Sequence, residues 1–440
     1  MSICKKYQIL LICCIISSWS CASSGNFSAI DNEVERTRYT ESVELLDRRR
    51  NSLYQTRDDI LYYLDKGMLN YYAQNYTESS ELLQMAERAI EDAYTQSITQ
   101  GIGTLLLNDN AREYGGEDYE DIYINVFNAL NFYHRGESEG AMVEIRRLSN
   151  KLQHLSAKYD VVISNLQRHA LEENLSVIPP NPQSPVQFSD SALARYLGML
   201  FYRSAGLSDD ARISRNWLLA AFANNPSVYR HPVPASISGE LEIPDGMARL
   251  NVLAFGGLSP VKTEHVTRIF LPGGHWVKIA LPEMVSRRSH IHRVALVLDS
   301  GQTFDLELLE DIDAVAKATF SLRQQTIYLR TIIRTMLKSA GSIALHAASE
   351  EISNETTSLL LRLLSLTSQI FAEASEHADV RVSRYFPARA YVTGINLPPG
   401  SYNIRVNFYN RNGREIASVL HQDVIVRENA LNLVEAVCLR

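Results

Sequence analysis

The sequence predicts an α+β protein, with N-terminal all-α tetratricopeptide-like helical repeats followed by a β-rich domain with inserted helices. Three observations predict it. Apolar and aromatic residues recur three and four positions apart from about residue 31 to 175, and no proline precedes Pro179. Short alternating runs separated by Pro and Gly turns follow from residue 231. Helical spacing returns over 306–380, before a last strand-rich segment at 381–440.

Composition excludes some classes of protein. The chain has 440 residues, 45% of them hydrophobic, which is typical of a globular protein and long enough for about three domains. It carries 43 Lys+Arg against 50 Asp+Glu, a formal net charge of −7, and has no long basic run. Because nucleic acid phosphates require clustered Lys and Arg, we expect no nucleic acid partner.

The N-terminus has the layout of a secretory signal. Lys5 and Lys6 precede an apolar run at residues 9–16, and small polar residues follow it. A run of this length is too short to span a bilayer as a stable helix. We therefore expect residues 1–20 to be a signal peptide.

The end of the signal decides whether the chain is anchored. Cys21 follows the small residue Ser20, as in a bacterial lipobox, although Ser18 stands where leucine is usual, as in the relaxed form found in spirochaetes. We expect acylation of Cys21, attachment to the lipid bilayer and a flexible tether over 21–30. The alternative is ordinary cleavage after Ser24, which would leave a free protein.

Residues 31–230 are predicted to form one helical domain. Twelve of the 22 tyrosines lie between Tyr39 and Tyr133, and small residues recur among them at fixed offsets. This pattern is typical of tetratricopeptide-like helix pairs, in which small residues allow two helices to approach closely. Three imperfect copies are found, at residues 60–90, 121–148 and 192–221.

The remaining segments follow from turn chemistry. The Pro-rich run at 178–186 predicts a stiff crossing between the second and third copies. A β module is predicted over 231–305 and a helical segment over 306–380, with a helix start at Leu308–Asp313. The C-terminal β segment, 381–440, is expected to pair with the 231–305 module, because each part is short for a closed sandwich.

The stacked repeats predict a partner groove along the first helix of each copy. Tyr and Arg in such positions often carry interface energy. The candidate groove residues are Leu64, Met68, Tyr71, Tyr72, Leu130, Tyr133, His134, Tyr202 and Arg203. The alternative is that these side chains pack between helices as core.

The sequence contains no catalytic motif, so we expect a protein that is not an enzyme and needs no cofactor. His290 and His292 share one face of a strand but lack further ligands, so no metal site is predicted. The alternative is an envelope enzyme or glycan-binding protein that uses the C-terminal β domain, with His377, Asp379 and Arg381 as candidates.

An acidic cluster at residues 108–120 does not have the spacing of a calcium loop. Its Asn and Asp residues are expected to cap the neighbouring helices around a tight glycine turn, and its acids are expected to favour the positive end of the next helix.

The stretch 97–152, with Gly257–Lys262, Glu310–Ala316, His377–Arg381 and Arg384–Ala388, resembles an uncharacterised family of bacterial envelope lipoproteins with N-terminal tetratricopeptide-like helices. The resemblance implies a body lipid-anchored to a membrane, expected at the periplasmic face of the outer membrane. Some members are encoded near lipoproteins that activate peptidoglycan synthases, which implies a link to cell-wall assembly. We expect a protein-protein interaction scaffold that binds another envelope protein or peptide. Display on the cell surface as an antigen is a further alternative.

Overall fold

A computed structural model describes residues 26–99, 112–172, 188–271, 275–351 and 377–440. The expected signal peptide, Cys21 and the Pro-rich crossing at 178–186 lie outside these ranges. In the described parts of the chain, no helix is both long and apolar enough to cross a membrane.

Helices occupy the N-terminal half of the described chain. Their bounds are α1 Ser28–Glu35, α2 Tyr39–Leu53, α3 Asp59–Tyr72, α4 Tyr76–Thr99, α5 Asp118–His134, α6 Ser138–Glu172, α7 Ala192–Ser204 and α8 Ser208–Asn224. Helices α3 and α4, α5 and α6, and α7 and α8 are joined by turns of only three residues. Each of these pairs therefore forms a helical hairpin.

The three hairpin turns share one geometry. Each contains a residue with left-handed backbone, namely Gln74 (φ 63°), Gly136 (φ 77°) and Gly206 (φ 74°). In each, the N–H of this residue bonds to the carbonyl three positions earlier, and the next N–H bonds to the carbonyl five positions earlier. This pair of bonds ends a helix in a Schellman motif. The three copies seen in the sequence therefore have equivalent turns.

Small residues allow the two helices of a hairpin to pack closely. Ser79, Ala141 and Ala211 stand at equivalent positions of the second helices, and each is fully buried. In the first hairpin, a Cβ on Gly67 would lie 2.9 Å from Cδ2 of Leu83. A larger residue there would push the helices apart.

Strands follow, interrupted by one long helix. Their bounds are β1 Ala248–Leu258, β2 Val261–Leu271, β3 His275–Val285, β4 Arg293–Leu298, β5 Thr303–Asp311, β6 Pro387–Leu397, β7 Gly400–Tyr409, β8 Glu415–Val426 and β9 Asn432–Cys438, with helix α9 at Ile312–Glu351. Seven strands form one sheet in the order β8-β7-β4-β5-β6-β1-β9, and β2 pairs with β3 in a separate hairpin.

The large sheet joins the two β segments of the chain. Strand β6 pairs antiparallel with both β1 and β5, and β7 pairs antiparallel with β4. The last strand, β9, pairs parallel with β1, with Leu253 opposite Glu435. Leu253 and Glu435 are about 180 residues apart in the chain, so the last strand pairs with the first strand of the sheet across most of the β region.

Two cores lie on opposite faces of this sheet, because side chains alternate along each strand. Leu253 and Phe255 of β1 pack against the helices, while Leu250, Val252 and Ala254 face a second core with β4 and β7. Strands β8 and β9, at opposite ends of the strand order, contact each other. The sheet is thus curved around the second core, and the helices cover its outer face at β1, β6 and β9.

Two expected boundaries are corrected. Helix α1 begins at Ser28 and its Ile30 is fully buried, so a tether cannot extend to residue 30. Residues 306–311 belong to strand β5, and α9 begins at Ile312 with its third N–H bonded to the Asp311 side chain at 3.2 Å. Asp311, one of the acids expected within the first helical turn, is therefore the residue that caps α9 and precedes that turn.

Candidate functional site

The side of the helices predicted to form a groove faces the sheet of the same chain. Leu64, Met68, Tyr71, Tyr72 and Leu130 are buried, and Tyr133, His134, Tyr202 and Arg203 are half-buried. The Tyr72 hydroxyl donates to the backbone carbonyl of Tyr385 at 2.8 Å. The expectation of an open groove here is therefore corrected: the β domain fills it.

The three hairpins contact the sheet through equivalent positions. Tyr71, Tyr133 and Arg203 all lie three residues before the left-handed residue of their turns. The Tyr71 hydroxyl donates to the carboxylate of Glu435 in β9. The Tyr133 hydroxyl donates to the backbone carbonyl of Leu433 in the same strand. Arg203 donates to the Asn251 side chain of β1 at 2.8 Å. These contacts hold the first helix of every hairpin on the sheet.

His134 lies at the centre of this contact. Its Nε2 is 2.8 Å from Oε1 of Glu435, and its ring stacks on Tyr76 with centroids 4.2 Å apart. Burial works against a charge on the ring, but the Glu435 carboxylate outweighs it and raises the pKa of His134. The pair therefore couples the helices to the last strand electrostatically.

A second cleft lies on the helices themselves, and we name it the helix cleft. Its volume is about 990 Å³, and its lining residues come from α4, α5 and α6. On α5, Ile122 and Phe132 face this cleft, whereas Phe127 packs on Phe255 of the sheet. The cleft therefore opens away from the β domain.

The floor of the helix cleft is a charged network. Lys151 binds Glu87 at 2.7 Å and Asp121 at 2.6 Å. The amide of Asn125 donates to Glu87 at 2.9 Å and to Glu144 at 2.6 Å. Burial disfavours the Glu87 carboxylate, but Lys151 outweighs it and lowers the pKa of Glu87, whereas burial dominates and raises the pKa of Glu144. Two carboxylates of unlike basicity are thus held in one concave site.

The walls of the helix cleft are mixed. Val143 exposes 40% of its surface at the cleft, a large fraction for a β-branched apolar side chain. The acidic lining residues outnumber the lysine and arginine residues: Glu87, Glu91, Asp118, Asp121 and Glu144 against Arg88, Arg147 and Lys151. An apolar wall above an acidic floor suits a segment that carries apolar and basic side chains.

The glycine turn before α5 precedes a helix cap formed by glutamates and not by Asn or Asp. Asn108, Asp109 and Asn110 of the acidic cluster lie outside the described residues. Gly116 adopts φ 72°, and Glu117 caps the helix in a reciprocal box with Glu120. Glu120 is fully buried and also accepts from the Tyr114 hydroxyl at 2.7 Å and the Ser383 N–H at 2.6 Å. Burial, with the neighbouring charge of Glu117, raises the pKa of Glu120 to about 7. Within the described ranges, no group of three metal-ligating side chains converges.

The residues named for an enzymatic alternative form a structural link. Both carboxylate oxygens of Asp379 accept from Arg381 at 2.8 Å, and Arg381 also binds Asp58 at 2.9 Å. Burial opposes the charge of Asp379, but Arg381 outweighs it and lowers the pKa of that carboxyl. His377 lies 3.3 Å from Glu264 instead. The pair fastens the segment before β6 to the helices.

Glu310 and Glu240 are among the buried carboxylates that the sequence pattern did not reveal. Glu310 accepts from Ser191 and Tyr229 at 2.7 Å each, and from Tyr123. Glu240 binds Arg203 at 2.7 Å and Arg249 at 3.0 Å. The available signal for Glu310 was an acid directly after two apolar residues, Leu308 and Leu309. Both acids connect helices to the sheet and explain how these layers stay in register.

Comparison with known proteins adds no relative: no family model, curated protein or solved structure matches the chain.

Proposed function

We propose that this protein is a membrane-anchored lipoprotein of the bacterial envelope, in which the helix cleft binds a segment of another envelope protein. One observation carries the proposal: the inner side of the helical hairpins is filled by the chain's own sheet, whereas the helix cleft is open. The three hairpins with equivalent turns act as tetratricopeptide-like units used from the side opposite the expected groove.

The chemistry of the cleft supports a defined kind of partner. Its floor holds more carboxylates than cations, and its wall includes the exposed Val143. A partner segment with an apolar side chain followed by Lys or Arg fits both features. The family resemblance supports assigning this partner to cell-wall assembly.

The anchor is tested by metabolic labelling with a fatty acid in a bacterial host. We expect label on the wild-type chain and none on Cys21→Ser. An unlabelled wild-type chain, or label that persists in Cys21→Ser, contradicts the anchor.

The partner site is tested with a photo-crosslinking amino acid at Val143 in intact cells. Glu91 and Glu81 are both exposed on α4, but only Glu91 lines the helix cleft. We expect a discrete adduct that Glu91→Lys reduces about tenfold and that the matched control Glu81→Lys leaves unchanged, because a reversed charge in a charge-complementary site costs over 1 kcal/mol. Equal effects of the two substitutions contradict the site.

A further inference from the structure

A second concave surface opens beside the start of the described chain, and we name it the arginine cleft. Its volume is about 590 Å³. Its lining includes two acids, Asp31 and Glu35, and five arginines: Arg36, Arg287, Arg288, Arg384 and Arg440. In a chain of net charge −7, this local excess of positive charge is unusual.

Helix α1 is fixed at the edge of this cleft. The guanidinium of Arg384 lies 4.6 Å from the ring centroid of Phe27 and 2.7 Å from the carboxylate of Asp31. Arg440 donates from Nε to the carbonyl of Glu35 at 2.7 Å. The point where the chain leaves the body toward its N-terminus is therefore held against the arginine cleft.

The distance to the expected anchor is short. From Cys21 to Ser28, where α1 begins, a fully extended chain reaches about 25 Å. If Cys21 is acylated, as the proposed function states, the start of α1 cannot lie farther than this from the membrane surface. Attraction between charged lipids and basic side chains falls off within about 8 Å at physiological ionic strength, so the arginine cleft comes within this range when the tether is not fully extended.

The exposed arginines of the cleft suit phosphate groups. Arg36 exposes 61% of its side chain, although it also contacts Glu33 at 3.3 Å, and Arg288 is exposed. Guanidinium groups bind phosphate oxygens in a two-pronged geometry that ammonium groups lack. Asp31 is already bound to Arg384, so it does not neutralise the outer arginines.

We propose that the arginine cleft contacts the anionic phospholipid headgroups of the membrane that holds the acylated Cys21. This inference rests on the proposed anchor. The contact orients the body with α1 toward the bilayer. Residues of the helix cleft come from α4, α5 and α6 and not from α1, so the two clefts share no lining residue.

The test uses the acylated full-length protein in lipid nanodiscs, with acylation verified by mass. A nitroxide is attached at Asn32→Cys in α1 or at Asp210→Cys in α8, because both positions are exposed whereas Cys438 is buried. Relaxation by a nickel-chelating lipid reports contact with the membrane. We expect contact at residue 32 and not at 210, and we expect it in discs with phosphatidylglycerol but not with phosphatidylcholine alone.

The charge is tested with Arg36→Gln/Arg288→Gln against Arg212→Gln/Arg230→Gln, all at exposed positions. Removing two cations at an anionic surface is expected to reduce the contact about thirtyfold, and the control pair leaves it unchanged. Membrane contact that persists without anionic lipid, or without both arginines, overturns the proposal. If the acyl group is detected by mass in that experiment, the proposed anchor still stands. Loss of contact on adding inorganic phosphate at matched ionic strength overturns it in favour of a free anion site. Absence of the acyl mass contradicts the proposed anchor instead.

Discussion

His134 Nε2 lies 2.8 Å from the Glu435 carboxylate, and this pair joins the end of α5 to the last strand of the sheet. The two residues are about 300 positions apart in the chain, as are the neighbouring partners Tyr133 and Leu433. The contact shows that the helical hairpins and the sheet share one interface. It also explains why the inner side of the hairpins offers no groove.

The pair predicts a pH-dependent stability. The pKa of His134 is raised above its ordinary value of 6.5, so its stabilising charge is fully present below pH 6.5 and is lost as the pH rises through the folded-state pKa. Below pH 6.5, we expect the unfolding free energy of wild type to exceed that of His134→Gln by about 1–2 kcal/mol. Above the folded-state pKa of His134, we expect this difference to be smaller. Denaturant titrations at several pH values measure this, and Glu435→Gln should abolish the difference.

Glu120 is also expected to make the protein less stable as the pH rises, but over a different pH range. Its folded-state pKa of about 7 lies above its ordinary value of 4.5, so folding favours the protonated form between these values. Relative to Glu120→Gln, which does not titrate, wild type should gain about 3 kcal/mol as the pH falls from about 7 to 4.5. A flat difference across this window would show that Glu120 stays charged in the folded protein.

Substitution of Arg381 is expected to lower the free energy of unfolding strongly, because this residue has a structural role. It is 15% exposed and binds both Asp379 and Asp58, so Arg381→Met leaves two carboxylates without their cation. We expect a loss of about 3–5 kcal/mol in unfolding free energy. The control, Arg212→Met, breaks an exposed pair and should cost less than about 1 kcal/mol. Similar values for the two variants would contradict a structural role for Arg381.

Position 394 in β6 has no room for a side chain larger than that of glycine. A Cβ at this position would lie 2.6 Å from Nη2 of Arg249 and would also meet the buried Glu240 carboxylate. Gly394→Ala should therefore disrupt this ion pair and cost about 3 kcal/mol or more, measured by thermal or chemical unfolding. At Gly413 the backbone is left-handed (φ 74°) but no atom lies within 4 Å, so Gly413→Ala should cost about 1 kcal/mol.

Much of the fold followed from periodicity. Helical spacing predicted the N-terminal helices, and alternation predicted β1, β3, β4, β6 and β7, because burial on one face leaves a repeat of 3.6 or 2 residues. The segment 306–311 is predicted to be helical because Leu308–Asp313 has the pattern of a helix start with acids in its first turn. Its strand identity depends on donors for Glu310 from α5, α7 and Tyr229, which local pattern cannot reveal.

The candidate site was harder to predict. Tyr71 and Tyr133 are predicted to line a partner groove, and nothing near them in sequence shows that β9 covers this side of their helices. Glu144 and Arg147 are three positions apart, which is the spacing of a local contact within one helix. Their place in the helix cleft follows from the packing of α4, α5 and α6, which is a tertiary property.

The most direct test of the central claim compares a photo-crosslinker at Tyr133, on the inner side, with one at Val143, in the helix cleft, in cells that make the acylated protein. We predict that the probe at 133 joins only to the chain's own β9, detected as an internal crosslink by mass spectrometry. We predict that the probe at 143 gives an adduct with a second protein. An intermolecular adduct from position 133, with none from position 143, would contradict the account.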